Sequence, residues 1–276
     1  MSDPAANALA GLLGKRSTTR SAADYEHMFD DFVVASGGGR VGDRFTLPPG
    51  LCNADYHFAT ADYDLLLELK QISAYRPQAT LDAYFNKLLS LGRVRQATRP
   101  ISGKLEIVPE SLSERDWNRF YGKFRPAVSE HLRKAARQLK ETDRHLPHSA
   151  KPRLCGLVLI NSGDYALPLD LMFRLVEWRV KREWQAGHFS KLDFVSCLTV
   201  DFAPLEGQHP LQGRHIIRPE PHPLLVGAVR RLYDDWLHYV ANALGATVTF
   251  EPGASAPEPP LVLAGAYAGK LQRVDT

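Results

Sequence analysis

The chain has 276 residues, of which 44% are hydrophobic and 24% charged, an ordinary balance for a soluble globular protein. Its formal net charge of +3 fits a nucleic-acid partner without requiring one. The three cysteines are too far apart for a zinc ribbon or a disulfide framework, so we expect a cytoplasmic location. No apolar run approaches the roughly 20 residues needed to cross a bilayer, so we expect no membrane association.

The N-terminal part of the chain is predicted to hold an arm, a helix and a hairpin. Residues 1–20 are small, polar and basic, which is typical of a flexible arm. Apolar residues then recur at helical spacing from Ser21 to Ala35, and the glycines at 37–39 end that helix. Residues 55–58 and 64–72 read as two strands joined by a short turn.

Three helices are predicted in the next part of the chain. Residues 81–91 form a short amphipathic helix. Ser111 and Glu114 have the spacing of a capping box at the start of the second helix. The third helix begins at Pro126, a residue favoured in the first helical turn, and runs to Thr142.

A crossover unit is predicted after these helices. Residues 154–161 form a continuous apolar run typical of a strand covered on both faces. A long helix beginning near Pro168 and a strand at 192–202 follow, and this order indicates an α/β sheet. The proline-rich residues 204–223 are predicted to be loop, and residues 224–244 helix.

One predicted strand carries two opposite charges among leucines. Side chains alternate between the faces of a strand, so Glu68 and Lys70 share one face while Leu67 and Leu69 share the other. Burying two charges costs several kcal/mol each unless they are paired or coordinate an ion. A structural ion pair at the strand end is the simplest interpretation.

Asp55 on the preceding strand suggests a second interpretation. Paired strands bring side chains within about 5 Å across the ladder, so Asp55 and Glu68 can converge on one cation. Hard ions such as Mg²⁺ take carboxylate oxygens and keep waters for phosphate groups. A lysine beside such an ion, here Lys70, can place a water and stabilise phosphoryl charge, which is the chemistry of phosphodiester hydrolysis.

In this order of residues the sequence resembles the PD-(D/E)xK nuclease superfamily, which has the restriction-endonuclease-like fold. The matching residues are Asp55, preceded by Ala54 where the family usually has proline, and Glu68-Leu69-Lys70. The resemblance implies an α/β fold whose mixed central sheet is flanked by helices, with an insertion and a C-terminal elaboration. It also implies a Mg²⁺- or Mn²⁺-dependent nuclease, acting on DNA rather than RNA, in which Asp55 and Glu68 hold the metal and Lys70 positions water.

The resemblance also suggests a third metal ligand and a domain division. Family members often add an acid from the first helix, for which Glu26 is the best candidate here and Asp30 the substitute. We expect a restriction-endonuclease-like domain over 21–252, with an insertion at about 76–125. A proline-rich linker and C-terminal segment follow at 253–276.

Basic residues of the insertion and of the third helix are candidate contacts to a nucleic-acid backbone. They are Arg93, Arg95, Arg99, Lys104, Arg133 and Arg137. The alternative is that these cations belong to solvated helix faces. Likewise, the alternative to a nuclease is an inactive binding or structural module with this fold, which engages a protein partner through the C-terminal half.

Overall fold

A computed structural model describes most of the chain. The described residues are 23–73, 79–93, 97–98, 105–107, 113–164, 167, 169–199, 212–243, 261–264 and 270–273. The predicted arm at 1–20 lies outside them, as do Arg95, Arg99 and Lys104.

The described elements alternate between helices and strands. The helices are α1 (Ala23–Ala35), α2 (Val41–Arg44), α3 (Ala79–Ser90), α4 (Glu114–Phe124), α5 (Pro126–His145), α6 (Leu169–Gln185) and α7 (Leu225–Ala243). The strands are β1 (Gly39–Arg40), β2 (Tyr56–Ala59), β3 (Asp64–Ile72), β4 (Ala97–Thr98), β5 (Leu105–Ile107), β6 (Arg153–Asn161), β7 (Phe194–Thr199), β8 (Gln212–Ile217), β9 (Leu261–Ala264) and β10 (Lys270–Arg273). None of the helices in this part of the chain is long and apolar enough to cross a membrane.

A mixed six-stranded sheet forms the centre of the protein, in the order β1-β2-β3-β6-β7-β8. Strands β1, β2 and β3 are antiparallel neighbours, whereas β3, β6 and β7 run parallel. The parallel pairs need crossovers, which α5 and α6 complete. The predictions of an α/β fold and of a crossover from β6 to β7 are therefore confirmed.

Helices cover both faces of this sheet because its central strands are apolar on both sides. Cys155, Leu157 and Leu159 of β6 belong to the core that α5 and α6 cover. The alternate residues, among them Val158, pack on the other face with α1 and α7. There the ring of Trp236 lies 5.0 Å from that of Phe29, measured between centroids. Each face thus has its own hydrophobic core.

Close packing between β6 and β7 leaves no room for a side chain at Gly156. A Cβ atom built at this position would lie 2.1 Å from the Phe194 ring of the neighbouring strand. Gly156 and Phe194 are register partners, and Phe194 is fully buried. The continuous apolar run therefore includes one glycine that the packing of the sheet requires.

Two local predictions are wrong. The sequence predicts loop over residues 204–223, but Gln212–Ile217 forms β8, which pairs with the otherwise open edge of β7. This stretch lacks proline and buries Ile216, so it can complete a ladder. At the start of α4 the cap is Ser113, because the helix begins at Glu114 and the Asp116 N–H donates to Ser113 Oγ at 3.2 Å. The predicted cap, Ser111, lies outside the described residues.

A second sheet joins two distant parts of the chain, in the order β10-β9-β5-β4. Strands β4 and β5 come from the region predicted to be an insertion, and β9 and β10 come from the C-terminal segment. Leu105 of β5 is the register partner of Leu263 of β9. The division of the chain into domains stays a prediction.

Candidate active site

Asp55 lies immediately before β2, beside the middle of β3. The ladder pairs Tyr56 with Leu67, so one further step brings Asp55 next to Glu68. The Leu69 backbone N–H donates to Asp55 Oδ2 at 2.8 Å, which orients the carboxylate along the edge of β3. The predicted hairpin therefore brings the two acids together.

Glu68 is a fully buried carboxylate, with 0% of its surface exposed. Its neighbours on the same face of β3, Leu66 and Ile72, belong to the core under α5. The Lys70 ammonium contacts Glu68 Oε1 as an ion pair. Among the described residues, however, no hydrogen bond of normal geometry reaches either carboxylate oxygen. The side chain has acceptor capacity that its surroundings do not fill.

The surroundings of Glu68 disfavour its charged form. Burial is the main cause that raises its pKa to about 8, and the like charge of Asp55 adds to it. Lys70 and the Asp55 backbone N–H act in the opposite direction and lower the pKa. Asp55 and Glu68 are thus electrostatically coupled.

Asp55 is also partly desolvated. Burial raises its pKa, while the bond from Leu69 and the charge of Lys70 lower it. The charge of Glu26, on α1, raises the pKa of Asp55, which places Glu26 in the same electrostatic environment. Glu26 is exposed on its helix.

Lys70 is more accessible than Glu68, with 21% of its side chain exposed. His131, a half-buried residue of α5, lies within the field of the Lys70 ammonium. Burial, and then the Lys70 charge, lower the pKa of His131 below its ordinary value, so its imidazole is neutral at pH 7. Lys70 and His131 are therefore a cationic and a neutral nitrogen group in one electrostatic environment.

Asp30, the substitute metal ligand, is already engaged. Its Oδ2 lies 2.5 Å from Arg40 Nη2, and its Oδ1 accepts a hydrogen bond from the Tyr56 hydroxyl at 2.7 Å. These two contacts tie α1 to β1 and β2. Of the two acids of α1 proposed as ligands, Glu26 therefore remains the candidate third ligand.

Helix α5 anchors the segment that precedes Asp55. The Ala54 N–H donates to Thr142 Oγ1 at 2.6 Å. Gln138 Nε2 donates to the Asn53 carbonyl oxygen at 2.9 Å. Both contacts are to backbone atoms, so they fix the path of the chain leading into the site.

The donor set fits a hard divalent cation. Two adjacent carboxylates, one with both oxygens buried and without hydrogen bonds, offer the ligands that Mg²⁺ and Mn²⁺ take. A group of three acid, histidine or cysteine side chains arranged to hold a metal is absent from the described residues. A metal held by Asp55 and Glu68 would thus keep several positions for water and phosphate oxygens.

Three of the predicted nucleic-acid contacts lie among the described residues. Arg93 Nη1 lies 3.1 Å from Asp116 Oδ1, so its guanidinium ties the end of α3 to α4. Arg133 and Arg137 are exposed on α5. Arg137 lies about 100° and Arg133 about 140° around the helix from Gln138.

Sequence reasoning missed four residues around the site: Arg40, His131, Gln138 and Thr142. Three of these residues, His131, Gln138 and Thr142, recur on α5 at helical spacing, and this spacing is visible in the sequence. It indicates a role in the site only once α5 is known to lie across β3. Comparisons with models of protein families, with curated proteins and with solved structures found no match.

Proposed function

We propose that the protein is a metal-dependent nuclease with a restriction-endonuclease-like core that hydrolyses phosphodiester bonds, in DNA rather than RNA. The observation that carries this proposal is the Glu68 carboxylate, which is fully buried beside Asp55 and Lys70 and accepts no hydrogen bond of normal geometry among the described residues. The ion pair with Lys70 offsets part of the cost of burying this charge, and a bound cation would offset more of it.

The order of elements supports the same proposal. A helix, three antiparallel strands, a crossover helix and a parallel strand correspond to α1, β1 to β3, α5 and β6. This is the order that the resemblance implies for the nuclease core. The site then lies on the second and third strands, as the sequence motif requires.

Each side chain has a defined role in this proposal. Asp55 and Glu68 hold Mg²⁺ or Mn²⁺, and Glu26 completes the ligand set directly or through water. When bound, the metal supplies positive charge at the scissile phosphate and lowers the pKa of a coordinated water. Lys70 donates to the attacking water and to a phosphoryl oxygen, and it is more accessible than the buried Glu68.

The proposal is tested by incubating the purified protein with supercoiled DNA, linear DNA, single-stranded DNA and RNA in Mg²⁺ or Mn²⁺. Lys70→Ala is expected to lower the rate at least about 100-fold, and chelator to abolish cleavage. Lys134→Ala is the matched control, because Lys134 is an exposed lysine of α5 that pairs with Glu130. Cleavage that survives unchanged in Lys70→Ala would contradict the role of Lys70.

A second candidate function is an inactive nuclease-fold module that binds nucleic acid or, through its C-terminal half, a protein. The contact between Lys70 and Glu68 favours it, because the lysine and the acid satisfy each other locally. Wild-type protein that is folded, binds no Mn²⁺ and leaves every substrate whole would support this second function.

A further inference from the structure

We propose that Gln138 and Thr142 are positioning residues that form a clamp on residues 53 and 54 and thereby hold Asp55 in its metal-binding place. This inference rests on the proposed function, since it assigns the two residues a role in metal binding. Neither residue touches the metal or the substrate; both act through the backbone.

The clamp grips the segment on both sides of one peptide unit. Thr142 Oγ1 accepts from the Ala54 N–H at 2.6 Å, while Gln138 Nε2 donates to the Asn53 carbonyl oxygen at 2.9 Å. The carbonyl of Asn53 and the N–H of Ala54 belong to the same peptide group. Holding both its donor and its acceptor fixes the orientation of that peptide plane.

This peptide plane lies one residue before Asp55, where the strand ladder has not yet begun. Strand β2 starts at Tyr56, so ladder bonds of β2 do not hold Asn53 or Ala54. The Thr142 bond is buried and the Gln138 bond is half-buried. The clamp therefore replaces ladder bonds at the point where the chain turns into the site.

The two residues are four positions apart on α5 and so present one face to the segment. Helix α5 also packs on β3, the strand that carries Glu68 and Lys70. One rigid helix therefore sets the distance between the Asp55 segment and the Glu68 strand. Residues that orient metal ligands in this indirect way typically contribute 10- to 100-fold in metal affinity.

The test is Mn²⁺ binding to the full-length protein, measured by calorimetry at pH 7.5 with no nucleic acid present. Thr142→Val keeps the shape of the side chain but removes the acceptor, and we expect it to bind Mn²⁺ at least about 10-fold more weakly. Thr142→Ser restores the oxygen and is expected to bind within about 3-fold of wild type, an allowance set by ordinary context dependence. Gln138→Met is a second variant that removes the other half of the clamp.

A general loss of stability is separated from a positioning effect by Leu132→Val. Leu132 lies in the buried face of α5, six residues before Gln138, and takes no part in the two hydrogen bonds of the clamp. We expect this variant to lower the unfolding midpoint without weakening Mn²⁺ binding. If Thr142→Val does not fold, Gln138→Met decides the question.

The outcomes distinguish a failure of the clamp from a failure of the proposed metal-dependent function. Wild-type protein that binds no Mn²⁺ overturns the metal site and the clamp together. Wild-type protein that binds Mn²⁺, with folded Thr142→Val and Gln138→Met binding it equally well, overturns the clamp and leaves the metal site standing. Weaker binding in both variants with recovery in Thr142→Ser supports the clamp.

Discussion

The Leu69 backbone N–H donates to Asp55 Oδ2, so the acid immediately before β2 accepts a hydrogen bond from the backbone of β3. This bond orients the Asp55 carboxylate toward the strand that carries Glu68. It also stabilises the charged form of Asp55 against the burial that raises its pKa. The two acids therefore share a site in which a backbone hydrogen bond orients Asp55, while Glu68 is buried in the hydrophobic core.

Asp55→Asn is expected to lower the pKa of Glu68. The amide oxygen still accepts from Leu69, but the like charge that raises the pKa of Glu68 is removed. The measurement is a carboxyl-carbon NMR titration without metal, in wild type and variant. An unchanged Glu68 pKa would mean that the two acids do not interact.

Glu68→Gln is expected to change how stability depends on pH. The pKa of Glu68 in the folded protein, about 8, is above its ordinary value of 4.5, so the folded state binds more protons between these two values. Stability from this group is therefore full below pH 4.5 and falls as the pH rises towards 8. Without metal, the variant should exceed wild type at pH 8.5 by about 1 kcal/mol or more, given that one pKa unit is about 1.4 kcal/mol.

Urea unfolding of both proteins at pH 5 and pH 8.5, in chelator, measures this difference. The gap should be larger at the higher pH. A gap of equal size at the two pH values would show that Glu68 does not change its protonation state across this range.

Lys70→Met is expected to destabilise the metal-free protein at pH 8.5 more than at pH 5. Removing the lysine leaves the Glu68 charge buried without its ion-pair partner, and that charge is present only at the higher pH. The double variant Glu68→Gln with Lys70→Met should recover most of the loss. A double variant that is no better than Lys70→Met would place the cost in packing rather than charge.

Gly156→Ala is expected to destabilise the protein by about 1–3 kcal/mol or more, because its methyl group would overlap the Phe194 ring. Gly227→Ala on α7 is the matched control, since no atom lies within 4 Å of a Cβ there. The control should be neutral or stabilising by about 0.5–1 kcal/mol. Equal effects of the two changes in thermal unfolding would contradict the packing described for β6 and β7.

Arg133→Ala with Arg137→Ala tests whether α5 binds a nucleic-acid backbone. If it does, the slope of log affinity against log salt, measured without divalent metal, should fall by roughly 1 for each phosphate that the variant no longer neutralises. Arg93→Ala should leave that slope unchanged, because its guanidinium is paired with Asp116. A slope that falls only in Arg93→Ala would reverse this assignment.

The sequence was enough to predict the central layout because the signals involved are local. Alternation in Glu68-Leu69-Lys70 set the faces of β3, and the apolar run of β6 indicated a strand covered on both sides. The approach of Asp55 to Glu68 followed from hairpin geometry alone. Each of these inferences needs only neighbours along the chain or across one turn.

What the sequence did not show depends on which distant segments meet. The ion pair between Asp30 and Arg40 requires α1 to lie against β1, and the clamp requires α5 to lie across β3. Glu68 is completely buried because α5 packs over β3, and the periodicity of the sequence does not show which helix covers a strand. The sequence did not reveal strand β8, because the prolines on either side of it predict a loop for the whole stretch.

The pairing of β5 with β9 places a limit on how the protein can be made. Leu105 pairs with Leu263, which the ribosome adds more than a hundred residues later. Until then β5 has an unpaired edge toward β9, open to pairing with another chain. A ribosome that stalls after β8 but before β9 would therefore release a chain whose central sheet can form but whose second sheet cannot.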